Sequence, residues 1–327
     1  YAATLRLTQL DSSVIATPMY HVTGMICILS VMLAVGGTVY LMKKVDADRI
    51  LTCFLENNIT FYHASPTVFT ILLEKRSSYP LIPSVKSFAC GSGNMAPENI
   101  RKLKEWMPQA EFHTVYGMTE TSGAGTIFPG GAADSPWIGA SGIPMPDLRI
   151  KIADDDGTEL MENQIGEICL KGSFVVEEYY KQKVDSITED GWLRTGDLGY
   201  YNQAGYLYIV DRKKDMINRG GEKVCSFDIE NTIHTLPGVV EAVVVGVPDS
   251  KYMEVPAAVI KLEKGTNVRA EDIKEMLKTR VARFKIPEYI VFVEDIPKTH
   301  NGKIDKRMIK EWMRNIMEGS PEISGVK

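Results

Sequence analysis

The chain has 327 residues, more than a single hydrophobic core usually organises, so its length predicts two domains. Hydrophobic residues make up 44% and charged residues 24%, ordinary values for a folded protein that exclude a low-complexity or disordered chain. The formal net charge of −5 provides no overall basic field, so the composition argues against nucleic-acid binding.

The first part of the chain alternates short apolar runs with helical patterns. Strands are predicted at residues 14–16, 38–41, 59–62, 85–89 and 111–116. Two of the intervening helices begin at Pro66 and Pro97, because proline is favoured in the first helical turn, where its missing N–H needs no partner. This alternation predicts a parallel sheet with helices on both faces.

Residues 25–42 carry no charge, and this segment is long enough to span a bilayer before Lys43 and Lys44. Gly36 and Gly37 nevertheless divide it into a helix-length piece and a short strand, as a buried α/β core requires. The pattern favours a buried core element, and we predict no transmembrane segment.

Two further patterns follow along the chain. After Gly123, Gly and Pro punctuate strand patterns at 148–152 and 166–170, which predicts an antiparallel, barrel-like sheet. From about Asp215, the order helix, strand, strand, helix and strand predicts a small α/β domain. The charged junction at 211–215 is, by composition alone, typical of a solvated linker.

The five cysteines are widely scattered and mostly have apolar neighbours, which predicts reduced core thiols rather than disulfides or a metal site. No secretory signal pattern precedes the first predicted strand. Both observations favour a cytoplasmic location. The chain begins with Tyr1 rather than Met, which is typical of a fragment.

A glycine-rich segment, Gly91-Ser92-Gly93-Asn94-Met95-Ala96, follows a predicted strand and precedes a predicted helix. It fits the dinucleotide fingerprint G-x-G-x-x-A. The acidic ribose ligand expected about 20 residues later at a strand end is not found, because Glu111 begins a strand instead. The fingerprint therefore does not predict a dehydrogenase, although exposed backbone at such a turn still suits nucleotide contact.

The most specific pattern is Tyr116-Gly117-Met118-Thr119-Glu120, which follows a predicted strand and resembles the Y-G-x-T-E motif of adenylate-forming enzymes. Four further matches fall in the family order: Pro18-Met19-Tyr20-His21, residues 191–197, residues 211–230, and Asn301-Gly302-Lys303-Ile304. The chain therefore resembles the AMP-forming acyl-CoA synthetases, whose superfamily includes peptide-synthetase adenylation domains and beetle luciferases.

The resemblance implies an α/β fold with a partial doubly wound sheet, an antiparallel barrel-like sheet and a small, mobile α/β C-terminal domain. The implied division is 1–135 for the C-terminal part of the large α/β subdomain, 136–211 for the barrel-like subdomain, 212–214 for the hinge and 215–327 for the small domain. The implied reaction joins a carboxylate to the α-phosphate of ATP with release of pyrophosphate. The thiol of coenzyme A then displaces AMP.

The resemblance also implies roles for individual residues. Glu120 is the implied magnesium ligand, and Thr119 donates to a phosphate oxygen. Tyr116 lies against adenine, Asp197 accepts from the ribose hydroxyls, and Thr114 stands where relatives often carry an adenine-reading amide. The implied nucleotide-binding set is Gly91, Ser92, Gly93, Thr114, Tyr116, Gly117, Asp197 and Arg212. Without the motif, these residue types are equally typical of turn caps and core positions.

Lys303 matches the lysine that reaches the carboxylate and α-phosphate, where its ammonium offsets negative charge. Lys214 occupies the family's hinge position. His21 stands at an acyl-pocket position, although a lone His is nearly as often a core residue. Gly220 and Gly221 fall where pantetheine passes the backbone, but a plain hairpin turn explains them equally well.

The family's Ser/Thr/Gly-rich phosphate loop has no counterpart upstream of His21. We therefore expect the chain to be inactive alone, and ATP, Mg²⁺ and CoA to serve the full-length parent. Fatty or related acyl acids are the expected substrates, and a homo-oligomer is compatible with the sequence. Two alternatives stay open: an amino-acid or aryl-acid adenylating enzyme, and a non-catalytic nucleotide- or CoA-binding fragment.

Overall fold

The computed structural model describes residues 1–182, 184–299 and 303–318. The chain divides into two compact units, Tyr1–Ile209 and Val210–Lys327. The α/β class predicted from the sequence is confirmed. The predicted subdomain boundaries and the hinge at 212–214 stay predictions.

One sheet organises most of the first unit. Its strands are β1 (Ser12–Ile15), β2 (Thr38–Leu41), β3 (Phe61–Ala64), β4 (Ser87–Cys90), β5 (Glu111–Tyr116), β6 (Thr126–Ile127) and β7 (Ile143–Pro144). Their spatial order is β2-β1-β3-β4-β5-β6-β7. Strands β1 to β5 are parallel, and β6 and β7 continue the sheet in antiparallel pairing. The carboxyl ends of β3, β4 and β5 therefore meet at one edge, the usual place for a ligand in such a sheet.

Helices cover both faces of this sheet. They are a π-helix (Thr23–Ser30), α1 (Val31–Val35), α2 (Ala47–Glu56), α3 (Pro66–Glu74) and α4 (Pro97–Trp106), with 3₁₀ turns at Arg76–Ser78, Thr119–Thr121 and Ala132–Asp134. The side chain of Asp46 caps α2 by accepting from the backbone N–H of Arg49. Pro66 and Pro97 begin α3 and α4, as the sequence predicts.

The uncharged segment at 25–42, predicted to be a buried core element, lies only partly in the core: Cys27, Ile28 and Met32 are buried, whereas Leu33 and Leu41 are 67% and 62% exposed. Ile28 and Met32 are fully buried and belong to one apolar cluster with Phe61 and Val115 of the sheet. Among the residues that the structure describes, none of the helices has the length and apolar character needed to cross a membrane. All five cysteines are buried and free, as predicted.

A second sheet in the chain has the order β11-β10-β9-β8. Its strands are β8 (Leu148–Ala153), β9 (Gly166–Gly172), β10 (Leu193–Tyr201) and β11 (Leu207–Arg212). The pairs β8/β9 and β9/β10 are antiparallel. Tyr116, at the end of β5, packs into the apolar cluster of this sheet with Ile168 and Leu193. The cluster therefore brings the end of the parallel sheet next to β10.

The second unit is a smaller α/β structure. Its elements are β12 (Ile217–Arg219), β13 (Glu222–Val224), α5 (Ser226–Ile233), β14 (Val239–Asp249), β15 (Met253–Leu262), α6 (Ala270–Lys278), a 3₁₀ turn (Arg283–Lys285), β16 (Tyr289–Val293) and α7 (Lys306–Met317). The sheet order is β13-β12-β15-β14, with β16 parallel to β15. Helices α5 and α6 share one apolar cluster with the sheet, and α7 shares the other.

Candidate active site

The carboxyl edge of β3, β4 and β5 brings the glycine-rich segment next to the Y-G-x-T-E motif. Gly91 directly follows β4, and Tyr116 is the last residue of β5. A Cβ atom on Gly91 would lie 3.1 Å from the carbonyl oxygen of Val115 and 3.3 Å from Nε2 of His63. Glycine is favoured at this position because neighbouring strands approach it so closely.

Tyr116 and Asp197 contact each other directly, although 81 positions separate them in the sequence. The hydroxyl of Tyr116 donates to Oδ2 of Asp197 over 2.9 Å. The backbone N–H of Asp197 donates to Oγ1 of Thr195 over 3.1 Å, within the part of β10 where the pairing with β9 is irregular. The residues that the motifs assign to adenine and to ribose are thus brought together by one hydrogen bond.

Thr119 and Glu120 lie in the 3₁₀ turn that follows β5. Oε1 of Glu120 accepts from the hydroxyl of Tyr179 over 2.8 Å. The backbone carbonyl oxygen of Glu120 accepts from the N–H of Val176 over 2.8 Å. Desolvation, and then the neighbouring Glu120, raise the pKa of Tyr179. Sequence reasoning missed Tyr179, because one tyrosine in a loop has no distinctive pattern.

The surroundings of Glu120 can be tested for Mg²⁺. In the described part of the chain, no group of three or more His, Cys, Asp or Glu side chains is arranged to hold a metal ion. Mg²⁺ is commonly held by one or two carboxylates together with substrate phosphates and water. A single carboxylate at Glu120 fits that arrangement, and it does not fit an all-protein metal cage.

Ser92 and Ser122, which each follow a strand of this edge, adopt left-handed backbone conformations. Their φ angles are 68° and 53°. Such conformations are unfavourable for residues other than glycine and concentrate at ligand sites. The hydroxyl of Ser92 lies 3.3 Å from that of Thr23, so the glycine-rich turn also contacts the π-helix. Gly93 and Gly117 complete the two turns predicted to hold the nucleotide.

Two buried polar side chains at this edge retain unused hydrogen-bonding capacity. Thr114 is 8% exposed and His63 is 2% exposed, and among the described residues Oγ1 of Thr114 and Nε2 of His63 have no hydrogen-bond partner. Thr114 was predicted to face adenine. His63 was missed, and the only available signal was a histidine that closes an apolar strand directly before a helix starting at Pro66.

His63 is held as a neutral side chain. Burial, assisted by the positive charge that His21 can carry, lowers the pKa of His63 to about 3. Nδ1 of His63 lies 2.8 Å from the hydroxyl of Tyr1. His21, the predicted acyl-pocket residue, accepts at Nδ1 from the backbone N–H of Thr23 over 3.3 Å. The hydroxyl of Thr23 in turn lies 3.3 Å from that of Ser92, so His21 lies close to the same edge.

A mostly apolar cavity of about 310 Å³ opens beside this edge. The residues lining it include Tyr1, Cys27, Val31, Ser122, Met145 and Phe174. Tyr1 connects it to His63, and Ser122 connects it to the turn that carries Glu120. The cavity can thus accommodate an apolar group next to the predicted nucleotide site.

The charged junction of the second unit is more than a solvated linker. Arg212, predicted to support the ribose or phosphate, and Lys214, the predicted hinge residue, are exposed. Asp211 is fully buried, and its carboxylate accepts from the N–H of Arg212 and from the N–H and hydroxyl of Ser226, over 2.7–2.8 Å. The buried carboxylate fixes one end of the junction, while the hinge at Lys214 stays a prediction.

Gly220 and Gly221 form the two-residue turn between β12 and β13. Their φ angles are +61° and +97°, and the flanking Arg219 and Glu222 are paired across the hairpin. Positive φ at both central positions is typical of a type I′ turn and favours glycine. The turn thus accounts for both glycines, and their contact with pantetheine stays a prediction.

Lys303 lies in a short loop that precedes α7. Its carbonyl oxygen accepts from the N–H of Thr299 over 2.7 Å, and Lys298 and Ile304 form a β-bridge. The motif residues Asn301 and Gly302 lie outside the described residues. These contacts fix the backbone of Lys303 next to Lys298 and Thr299 in the second unit.

Comparisons with known proteins agree with the motifs. A model of the AMP-binding enzyme family matches residues 2–180, and a model of its C-terminal domain matches residues 228–303. The oxalate–CoA ligase of Arabidopsis thaliana is 34% identical over 94% of this chain and 61% of that protein. The long-chain-fatty-acid–CoA ligase FadD13 of Mycobacterium tuberculosis is 31% identical over 95% of this chain and 61% of that protein. The chain therefore spans about three fifths of these relatives.

Solved structures show the same likeness. ATP-bound MatB from Rhodopseudomonas palustris superimposes with a TM-score of 0.85 at 30% identity, over 96% of this chain and 62% of that one. The o-succinylbenzoate CoA synthetase MenE from Bacillus subtilis, in complex with its acyl-adenylate intermediate, superimposes with a TM-score of 0.81 at 28% identity, over 94% and 62%. With the motifs, the shared fold and the family match over more than half of its length, the chain belongs to the AMP-binding enzyme family of adenylate-forming enzymes.

Proposed function

We propose that the protein carrying this chain is an AMP-forming carboxylic acid–CoA ligase. It converts an acid and ATP to an acyl-adenylate and pyrophosphate, and then transfers the acyl group to the thiol of CoA with release of AMP. The observation that carries this proposal is the hydrogen bond between Tyr116 and Asp197 beside the Thr119–Thr121 turn. This arrangement suits a base against the ring, a ribose at Asp197 and phosphates near Glu120.

Each residue has a role that its chemistry supports. The ring of Tyr116 offers a flat apolar face to adenine, and Asp197 is a charged acceptor for ribose hydroxyls. Thr119, which is exposed, is a hydroxyl donor for a phosphate oxygen. Bound Mg²⁺ at Glu120 would neutralise phosphate charge. The ammonium of Lys303 would stabilise the charge that develops between carboxylate and α-phosphate.

The mostly apolar lining of the cavity supports an acid with an apolar tail as the substrate. FadD13, one of the relatives, is by name a ligase of long-chain fatty acids, whereas others are by name ligases of oxalate or succinylbenzoate. We place fatty or related acyl acids first for this chain. A cytoplasmic location is part of the proposal, and the five unpaired cysteines support it.

The test uses the full-length product of the gene that encodes this chain. A panel of carboxylic acids is assayed for acid-dependent exchange between pyrophosphate and ATP, and then for CoA thioester formation. Lys303→Ala should lower the exchange about 10²–10³-fold, the usual effect of removing one group that stabilises transition-state charge. Thioester formation from supplied acyl-adenylate should persist.

Arg307→Ala, four residues later on an exposed face of α7, is the matched control and should leave both half-reactions unchanged. Equal loss of both half-reactions in Lys303→Ala would contradict the role assigned to this lysine. Pyrophosphate exchange by the wild type in the absence of any carboxylic acid would contradict the proposal that the protein is a carboxylic acid–CoA ligase.

Nucleotide binding without catalysis is the second candidate function. The pair Tyr116 and Asp197 lies wholly within the first unit, so it is available in this chain without any other segment. Calorimetry of the 327-residue chain with AMP and with CoA tests this candidate. Binding of AMP together with absent turnover in the full-length product would favour it over the ligase.

A further inference from the structure

The loop that carries Lys303 lies between two lysines, each of which reaches a buried glutamate. Nζ of Lys298 lies 3.1 Å from Oε2 of Glu241, and Nζ of Lys306 lies 3.8 Å from Oε1 of Glu230. The glutamate side chains are 8% and 11% exposed. We call these two ion pairs, Lys298–Glu241 and Lys306–Glu230, the loop anchors.

The Lys306 anchor joins several elements of the second unit. Nζ of Lys306 donates to the hydroxyl of Ser226 over 2.9 Å, and this hydroxyl donates to the buried carboxylate of Asp211 over 2.8 Å. Oε1 of Glu230 also accepts from the N–H of Val244 on β14 over 2.8 Å. The first turn of α7 is thus tied to α5, to β14 and to the charged junction.

The Glu230 carboxylate depends on its cation. Burial raises the pKa of Glu230 to about 7, and the nearby Lys306 acts in the opposite direction. Loss of Lys306 therefore leaves a buried carboxyl without the charge that favours its ionised form. The pair is connected to Lys303 by its position, because Lys306 stands three residues after Lys303, and this connection does not depend on how Glu230 titrates.

Backbone hydrogen bonds transmit the position of the anchors to Lys303. The N–H of Asp305 donates to the carbonyl oxygen of Pro297 over 2.9 Å. The N–H of Thr299 donates to the carbonyl oxygen of Lys303 over 2.7 Å. Asp305 also caps α7 by accepting from the N–H of Met308. Lys303 stands three residues before Lys306, so a fixed Lys306 restricts the backbone position of Lys303.

Buried ion pairs are poor sources of stability, because the desolvation of two charges offsets most of their attraction. Their geometric effect is more useful here, since a misplacement of a catalytic group by about 1 Å can slow a reaction about 10²-fold. We propose that Lys298 and Lys306 are positioning residues whose ion pairs with Glu241 and Glu230 hold the backbone of Lys303 in the position that its ammonium needs for adenylation. The catalytic part of this inference rests on the proposed function.

The first experiment measures the loop itself and needs no activity. Hydrogen exchange of the Thr299 and Asp305 amides is followed in the 327-residue chain. Lys306→Met should raise their exchange about 10-fold, whereas Lys306→Arg and the matched surface control Arg307→Met should match the wild type. Unchanged protection in Lys306→Met would overturn the proposal. If Lys306→Met does not fold, Lys298→Met tests the other anchor by the same measurement.

The second experiment measures the two half-reactions in the full-length product. Lys306→Met should slow pyrophosphate exchange about 10–100-fold and leave thioester formation from supplied acyl-adenylate within about 3-fold of the wild type. Lys306→Arg should restore the exchange. Equal slowing of both half-reactions, or the same loss in Arg307→Met, would show a general structural role and overturn the inference. If the wild-type product is inactive with every acid, the ligase proposal is rejected. The hydrogen exchange of the Thr299 and Asp305 amides would then be the test of whether the loop anchors hold this part of the backbone.

Discussion

The edge of the parallel sheet and the surroundings of Lys303 differ in how their buried polar groups are paired. At the carboxyl edge of the parallel sheet, Oγ1 of Thr114 and Nε2 of His63 are buried without hydrogen-bond partners among the described residues. Around the loop of the second unit, the buried carboxylates of Glu230 and Glu241 each have a cationic partner. An unpaired buried polar group is costly until a ligand or water satisfies it, whereas a paired one fixes geometry. The difference suits a binding edge in the first unit and a positioned cation in the second.

Of the effects on binding and stability, the largest should come from the binding edge. Asp197→Asn keeps an acceptor for the hydroxyl of Tyr116 but removes the charge offered to ribose. Charge-assisted hydrogen bonds contribute about 1.5–3 kcal/mol each and neutral ones about 0.5–1.5 kcal/mol, so replacing the carboxylate by an amide should weaken AMP binding about 10²-fold. Calorimetry of the chain with AMP measures the loss.

A nucleotide without ribose hydroxyls supplies the control for Asp197. The dideoxy form of AMP should bind the wild type and Asp197→Asn with similar affinity, because it offers no hydroxyl donors. If Asp197→Asn weakens the binding of both nucleotides equally, Asp197 acts only by holding Tyr116. That result would contradict the ribose-binding role assigned to Asp197.

A smaller effect is expected from His63, the neutral histidine of the same edge. Its pKa of about 3 lies below the ordinary 6.5, so between these values the unfolded chain binds a proton that the folded chain does not. Stability should therefore fall as the pH drops through this window, by about 2 kcal/mol between pH 6.5 and pH 5 from His63 alone.

His63→Leu removes this titration and isolates its contribution. The difference in unfolding free energy between the variant and the wild type should change by about 2 kcal/mol between pH 7 and pH 5, in favour of the variant at the lower pH. Urea unfolding can be followed by the fluorescence of Trp106, Trp137 and Trp192, which lie in the first unit. If the unfolding free energies of the variant and the wild type change in parallel with pH, His63 titrates normally in the folded chain and is not kept neutral by burial.

Features that depend on neighbouring residues were predictable from the sequence. Strand β5 has the predicted bounds, because its apolar pattern and its flanking turns are local. The helices at Pro66 and Pro97 were predicted for the same reason. The second helix predicted for the small domain is α6, which ends at Lys278, and a separate 3₁₀ turn begins at Arg283. Helix ends depend on tertiary packing, which periodicity does not report.

Features that depend on distant pairing were only partly predictable. The motifs identified Tyr116 and Asp197 separately, but only the packing of β5 against β10 explains their hydrogen bond. A lysine beside Arg307 is typical of a solvated face, so the sequence alone gives no reason to assign a role to Lys306. Its pairing with Glu230, 76 positions earlier in the sequence, depends on how α5 and α7 each pack against the same sheet.

The smallest effect should separate the two explanations of the Gly220-Gly221 turn. Gly220→Asn creates Asn-Gly, a preferred type I′ sequence, and Asn tolerates the φ of +61° at this position. A Cβ here would lie 3.4 Å from Cδ1 of Tyr252, an ordinary contact, so stability should change by less than about 0.5 kcal/mol. If the turn alone requires glycine, both half-reactions of the full-length product should be unaffected.

If pantetheine passes the turn, the added side chain of Gly220→Asn should slow thioester formation about 3–10-fold and leave pyrophosphate exchange unchanged, since the chain's adenine and ribose contacts lie in the first unit. Gly205→Asn, in an open turn of that unit with φ of +76°, is the matched control. A slower thiol step in the first variant but not in the second would place the acceptor beside β12 and β13. If the wild type, Gly220→Asn and Gly205→Asn form the thioester at equal rates, the hairpin turn alone explains both glycines. The role proposed for the second unit would then be limited to positioning Lys303.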